Sequence, residues 1–124
     1  MQDRFRFRYS YNNHIYNVLG IDFDFSRAVL RSLVGPETLM CKVNLDNLMP
    51  CTGQRDRNGM LIYEGDRVYI DCEDETAIIK WSDDLARFTI HFEDEAVFAD
   101  FDNYYSKELE VIGNIYENSE LPKE

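Results

Sequence analysis

The sequence predicts a mainly β protein built around a small SH3-like barrel, and three observations support this fold class. Apolar and polar residues alternate at a period of two in several short runs. Clusters of turn residues separate these runs at intervals of roughly ten residues. Aromatic residues make up 14% of the chain and, like β-branched ones, favour strands over helices. We therefore expect about five or six short strands between residues 45 and 118, packed as a barrel.

An N-terminal β segment over residues 1–44 is expected to pack on this barrel or to be swapped with a neighbour. Residues 4–9 alternate strictly between arginine and aromatic side chains, which is typical of a half-buried strand. Phe5, Phe7 and Tyr9 would face the core. The cations of this strand would face water or a partner: Arg4, Arg6 and Arg8.

Further along this segment the pattern predicts a turn at residues 11–14, a second strand over 15–25 and an extended run over 39–43. Residues 119–124 form a polar tail.

Residues 26–34 are the best helix candidate in the chain, and a short strand is the competing assignment. Val29, Leu30 and Leu33 recur near the helical period of about 3.6 residues. Ser26 can cap the first turn, and a Gly-Pro pair follows the segment. We predict one short helix here.

Two turn motifs in the centre of the chain have a structural interpretation. Asn58 and Gly59 predict a tight hairpin turn of type I′, in which both central residues have positive φ. Gly65 supplies an unusual backbone conformation, and Asp66 caps or bridges the turn into the next strand. After these turns, several aromatic residues and one isoleucine are expected to face the barrel core: Trp81, Phe88, Ile90, Phe92, Phe98 and Phe101. Thr89 and His91 alternate with them and are expected to face outward.

The charge of the chain argues against direct binding of nucleic acid. The formal net charge is −11, and the first 35 residues are weakly basic, so the rest is strongly acidic. Such a surface repels phosphate backbones. The 3 cysteines form no CxxC pair, as expected for reduced thiols in a cytoplasm. No run approaches the roughly 20 apolar residues of a membrane helix, and no signal peptide is recognisable.

No catalytic residue, cofactor site or metal site is predicted. Acidic residues cluster at two expected hairpin turns, and hard cations do take such ligands, but the spacing of a calcium loop is missing. Zinc-finger spacing is also missing among the histidines and cysteines. Asp22 and Asp24 would share an outer strand face without forming a catalytic pair. The residues considered as ligands were Asp71, Glu73, Asp74, Glu75, Glu93, Asp94, Glu95, His14, His91, Cys41, Cys51 and Cys72.

Four separated motifs resemble the YopX family of phage and prophage proteins. They are the entry at residues 48–53, the Asp-Arg-Asn-Gly turn at 56–59, the Ile-Tyr-Glu-Gly-Asp-Arg-Val stretch at 62–68, and the ending at 110–118. The basic aromatic start at residues 4–6 and Trp81 with its following acidic turn and aromatic strand also resemble the family. The resemblance implies a β-rich fold, a phage or prophage origin and self-association. It implies no reaction, because the family supplies no catalytic residues to carry over. The segment at 26–43 departs from the family pattern.

Three functional hypotheses follow from these features. The first is a non-enzymatic accessory protein in the bacterial cytoplasm that acts through protein contacts as a homo-oligomer. In it, Arg4, Arg6 and Arg8 meet the acidic surface of a neighbouring copy. The second is an acidic module that binds a nucleic-acid-associated host protein, with Tyr104 and Tyr105 as the expected partner contact. The third is a metal-dependent hydrolase that uses the loop carboxylates.

Overall fold

Two antiparallel sheets hold the strands of this protein in its computed structural model, which describes residues 5–93, 98–101 and 106–116. The first sheet has the strand order β4-β3-β2-β1-β5-β6. Its strands are β1 (Phe7–Tyr11), β2 (His14–Asp22), β3 (Arg27–Ser32), β4 (Thr38–Lys42), β5 (Met49–Arg55) and β6 (Leu61–Tyr63). A single 3₁₀ turn at Leu45–Asn47 precedes β5.

The second sheet has the order β10-β9-β8-β7-β11, and the prediction of a mainly β protein is confirmed. Its strands are β7 (Asp66–Ile70), β8 (Glu75–Ser82), β9 (Arg87–Phe92), β10 (Phe98–Asp100) and β11 (Leu109–Asn114). A 3₁₀ turn at Ser106–Glu108 leads into β11. Over the described residues, strand pairing closes neither sheet into a barrel, so the barrel itself is not confirmed.

The first sheet contains strands from both sides of residue 44, because β5 pairs with β1. The hairpin between β1 and β2 turns at Asn12 and Asn13, whose φ angles are 53° and 68°. Two successive positive φ angles are the geometry of a type I′ turn, which follows the right-handed twist of the strands. The turn predicted at residues 11–14 is confirmed.

The helix predicted at residues 26–34 is wrong, because this segment contains β3. Ala28 and Leu30 are buried and alternate with exposed Arg27 and Arg31, which is the period of a strand. β3 lies between β2 and β4 and pairs with both. Ser26 has a φ of 55°, in the left-handed region, and an N-cap residue would be extended there. Pairing on both edges outweighs the weak helical period.

Each sheet contributes to a separate hydrophobic cluster. The smaller cluster lies on one face of the first sheet and consists of Tyr9, Ala28, Leu30 and Val43. The larger one consists of Ile62, Val68, Ile70, Ala77, Ile79, Ile90, Phe101 and Leu109. β6 supplies Ile62 to the larger cluster, so the second half of the first sheet packs on the second sheet.

Three side chains differ in burial from the expectation. Phe5 is 64% exposed and precedes β1, which begins at Phe7. Trp81 is 43% exposed near the end of β8, where Nε1 donates to Asp83 Oδ1 at 2.8 Å. Thr89 was expected to face outward and is buried, with Oγ1 lying 3.1 Å from Nε2 of His91.

The other predicted core aromatics behave as expected where the structure describes them. Phe101 is buried, and Phe88 and Phe92 pack against the same cluster. The side chain of Phe98 lies outside the described residues.

Candidate functional site

The hairpin loop between β5 and β6 is a type I turn closed by a glycine, so the predicted type I′ geometry is wrong. The Gly59 N–H donates to the Asp56 carbonyl at 3.0 Å, which makes Arg57 and Asn58 the central residues. Only Gly59 of this loop has a positive φ, at 86°. A positive φ directly after a type I turn lets the two strands rejoin in register.

Asp56 holds this loop in its conformation, and this role was not predicted from the sequence. Its carboxylate is buried and accepts three backbone N–H groups. Oδ1 accepts those of Asn58 and Met60 at 2.8 and 2.9 Å, and Oδ2 accepts that of Val111 at 2.8 Å. Since Val111 belongs to β11, one side chain fixes the loop and ties it to the second sheet. An aspartate two residues before an Asn-Gly pair is the sequence signal that could have indicated this role, because aspartate side chains often accept backbone N–H groups in turns.

The turn at residues 64–65 joins the two sheets through its backbone. Gly65 has a φ of 92°, its N–H donates to the Ile79 carbonyl at 2.7 Å, and its own carbonyl accepts the N–H of Ile115 at 2.9 Å. Asp66 is buried, and Oδ2 accepts the Tyr63 N–H at 2.8 Å. These contacts place Gly65 and Asp66 in the framework that positions the surrounding side chains.

A cleft of about 480 Å³ opens where the two sheets meet, and we name it the sheet-junction cleft. Phe7, Phe23 and Pro50 come from the first sheet and its turns, and Trp81 and Tyr116 come from the second. Three carboxylates also line the cleft: Asp46, Glu64 and Asp83. The cleft therefore combines aromatic walls with negative charge.

Burial raises the pKa of Glu64 above its usual value, and two neighbours oppose this effect. The charge of Lys80 and a hydrogen bond from the Tyr116 hydroxyl both favour the carboxylate and lower the pKa. Because the net shift is upward, desolvation outweighs the two favourable contacts. The same contact with Glu64, together with burial, raises the pKa of the Tyr116 hydroxyl.

Replacing Glu64 by glutamine is expected to change how stability depends on pH. A carboxyl whose pKa is raised by folding contributes stability that is present at low pH and is lost as pH rises through its folded pKa. The variant cannot ionise and should be slightly more stable than wild type at pH 7, and this advantage should disappear toward pH 4. Urea unfolding at several pH values measures the difference. Glu37→Gln, at an exposed position, is the matched control, and equal pH profiles for both variants would contradict the prediction.

A second surface stands out on β3 and β4, on the side opposite the smaller hydrophobic cluster. Val29 pairs with Met40, which is 63% exposed, and Arg27 pairs with Lys42. Arg31, two residues after Val29 in β3, is also exposed. We name this surface the arm face and define it as Arg27, Val29, Arg31, Met40 and Lys42. It is a small apolar strip flanked by cations on an acidic protein.

The structure agrees only in part with the prediction that the N-terminal arginines face water or a partner. Arg8 was expected to face water or a partner, but its guanidinium carbon lies 4.1 Å from the centroid of the Tyr63 ring, inside the chain. This stacking occurs because Arg8 lies on the same side of the sheet as Tyr63, a buried residue. Arg6 is exposed. Arg4, Tyr104 and Tyr105 lie outside the described residues.

The carboxylates considered as metal ligands are engaged locally where the structure describes them. Asp74 Oδ1 accepts the Tyr69 hydroxyl at 2.7 Å, and Glu93 Oε2 accepts Arg67 Nε at 2.8 Å. Within residues 5–93, 98–101 and 106–116, no three His, Cys, Asp or Glu side chains are grouped as metal ligands. Asp94 and Glu95 lie outside these ranges.

The candidate zinc ligands are likewise dispersed. Cys41, Cys51 and Cys72 form no disulfide in the structure and differ in burial. His14 is exposed in β2. His91 is half-buried, and this burial and the charge of Lys80 both lower the pKa of its imidazole.

None of the helices among the described residues is long and apolar enough to cross a membrane.

Comparison with known proteins supports the resemblance found in the sequence. The family model described as YopX protein matches residues 4–123, which is nearly the whole chain. No curated protein matches the chain. The match extends over the sheet-junction cleft and over the arm face, including the segment at 26–43 that departs from the pattern of the four motifs.

Proposed function

The chain belongs to the YopX family, and from this premise we propose that it is an accessory protein of phage or prophage origin that acts through protein contacts. In this proposal it works in the bacterial cytoplasm, catalyses no reaction and assembles with copies of itself. The same proposal includes the predicted SH3-like barrel, in which the strands of the second sheet would form the main part.

The arm face is the observation that carries self-association. Its apolar centre, Val29 and Met40, lies on an edge of the first sheet, since β4 is the terminal strand there. Edge strands of soluble proteins are usually protected by charge, and this edge has cations on both sides of the apolar strip. An exposed apolar strip with a charged rim is the composition of an interface between protein chains.

Charge complementarity favours a second copy of the chain as the occupant of the arm face. The protein carries a net charge of −11. Among the described residues, none of the ion pairs involves Arg27, Arg31 or Lys42. A neighbouring copy offers an acidic surface to these cations, while the apolar strip supplies most of the affinity. Arg4 and Arg6 can add to such a contact, and the stacking on Tyr63 makes Arg8 a weaker contributor.

Replacing Met40 by glutamate is expected to dissociate the assembly. The substitution places a charge in the apolar centre of the arm face, where burial against a neighbour would desolvate it. Met40 is 63% exposed, so the fold of the single chain should tolerate the change. Light scattering on a sizing column should give a mass of 14.7 kDa for this variant.

The matched control is Met60→Glu, which introduces the same charge at an exposed methionine of the β5–β6 loop, away from the arm face. This control should keep the mass of the wild type. If Met40→Glu and Met60→Glu both keep the wild-type mass, the arm face is not the contact.

The acidic binding module is the second candidate function, and the sheet-junction cleft favours it. The cleft gathers three carboxylates on a protein that is already acidic. A basic, nucleic-acid-associated host protein would be attracted to such a surface, and its binding would weaken with salt. The partner contact predicted at Tyr104 and Tyr105 belongs to this candidate.

A further inference from the structure

The sheet-junction cleft has the two features that recognise an organic cation. Flat aromatic rings attract a cation through their electron-rich faces, and carboxylates supply the opposite charge. Phe23 and Trp81 at the cleft are 66% and 43% exposed, so a partner can reach their rings from solvent. Glu64 and Asp83 line the same cleft as these two rings.

The charged groups in the cleft are held in place by the fold. Trp81 Nε1 donates to Asp83 Oδ1 at 2.8 Å, which fixes a carboxylate beside an indole ring. The Glu64 N–H donates to the Pro50 carbonyl at 2.9 Å, which fixes the backbone of this residue. Sites built from such fixed groups lose little conformational entropy when a ligand binds.

The charge of the cleft is only partly compensated by the chain itself. Lys80 is close enough to act on Glu64, but it is not among the residues that line the cleft. Within the part of the chain that the structure describes, the lining contains three carboxylates and no lysine or arginine. A cation that entered would therefore offset the cost of keeping the Glu64 carboxylate half-buried.

We propose that the sheet-junction cleft binds an arginine side chain carried on an extended basic segment of a partner protein. Arginine fits better than lysine, because its planar guanidinium can stack on Trp81 and present its N–H groups to a carboxylate at the same time. A volume of about 480 Å³ accommodates the side chain and part of the flanking backbone. The inference rests on the second candidate function, which gives this cleft a basic partner, and it names the side chain that the cleft recognises. Self-association through the arm face uses a different surface.

The single tryptophan of the chain gives a direct test, because Trp81 is part of the proposed site. The probe is the acetylated tripeptide amide Gly-Arg-Gly, and its counterpart with citrulline has nearly the same shape without the charge. The arginine peptide should change Trp81 fluorescence in a saturable manner, with a Kd on the order of 1 mM, as one stacking contact and one ion pair allow. The citrulline peptide should produce no saturable change.

Variants locate the binding within the cleft. Glu64→Gln keeps the shape of the side chain and should weaken the arginine peptide by about fivefold. Glu37→Gln makes the same change in net charge at an exposed position outside the cleft and should leave binding unchanged. Unfolding curves for both variants show that the fold is intact, and light scattering of the same samples shows whether self-association has changed.

Three results would overturn the proposal. Equal responses to arginine and citrulline peptides would show that charge is not recognised, and equal affinities of the two glutamine variants would place binding elsewhere. Removal of residues 1–4 provides the third comparison. If it strengthened peptide binding tenfold or more, the basic N-terminus of the chain itself would be the occupant, and the assignment to a partner protein would be wrong. An unchanged affinity supports the partner.

Discussion

Replacing Asp56 by asparagine is expected to lower the free energy of unfolding by about 3 kcal/mol. The carboxylate accepts three backbone N–H groups, two at Oδ1 and one at Oδ2. An amide has only one oxygen, so its NH₂ group must face either Val111 N–H or the two loop N–H groups. Two donors then meet in a buried site, and at least one backbone N–H loses its partner.

Thermal and urea unfolding measure this loss, with an expected fall in Tm of about 10 °C. Asp24→Asn is the matched control, because it removes the same charge from an exposed position and should change stability by less than about 0.5 kcal/mol. If Asp56→Asn were as stable as Asp24→Asn, the carboxylate would not be the tie between the β5–β6 loop and β11.

Replacing Gly65 by alanine is expected to cost about 3 kcal/mol, from two sources. The φ of 92° is unfavourable for any residue with a Cβ. The new Cβ would also collide with Cε2 of Tyr116. The backbone cannot shift freely to relieve this contact, because Gly65 N–H and C=O are both hydrogen-bonded to neighbouring strands. Tyr116 would have to leave the wall of the sheet-junction cleft.

Gly59→Ala separates the two sources. Gly59 has a similar φ of 86°, but a Cβ there would meet no atom within 4 Å. This control should therefore show only the conformational cost, about 1 kcal/mol. Calorimetric or urea unfolding compares the two variants. Equal losses would mean that Tyr116 moves aside without cost and that the packing of Gly65 against its ring contributes nothing.

Local signals were enough to predict the strands, because a half-buried strand repeats every two residues. β1 (Phe7–Tyr11) overlaps the strand predicted at residues 4–9, and β9 (Arg87–Phe92) coincides with the strand predicted at residues 87–92. The register of individual side chains was less predictable. Phe5 alternates correctly with Phe7, but it lies before β1 and is 64% exposed. Alternation predicts which residues share a face and does not predict whether that face is covered.

The segment at 26–34 shows how tertiary pairing decides between two local patterns. Val29, Leu30 and Leu33 fit a helical period, yet Val29 and Leu30 lie on opposite faces of β3. The alternation of Arg27, Val29 and Arg31 was also present in the sequence and indicates the arm face. Hydrogen bonding to β2 on one edge and β4 on the other makes the strand the stable choice.

The sheet-junction cleft could not have been predicted from the sequence. Phe7, Glu64 and Tyr116 are separated by more than 50 residues from one another, and none of them belongs to a recognisable binding motif. The cleft exists because the turn at Gly65 bonds to both β8 and the residues after β11. Asp56 was missed for a related reason, since its third bond reaches a strand that only the fold brings near.

Self-association is the central claim, and the native mass of the wild-type protein tests it most directly. Light scattering on a sizing column, at low and at high salt, gives this mass without reference to column standards. We expect a single mass several times the 14.7 kDa of the chain at low salt, with partial dissociation at high salt as the contacts of Arg27, Arg31 and Lys42 are screened. A mass of 14.7 kDa at both salt concentrations would contradict the account.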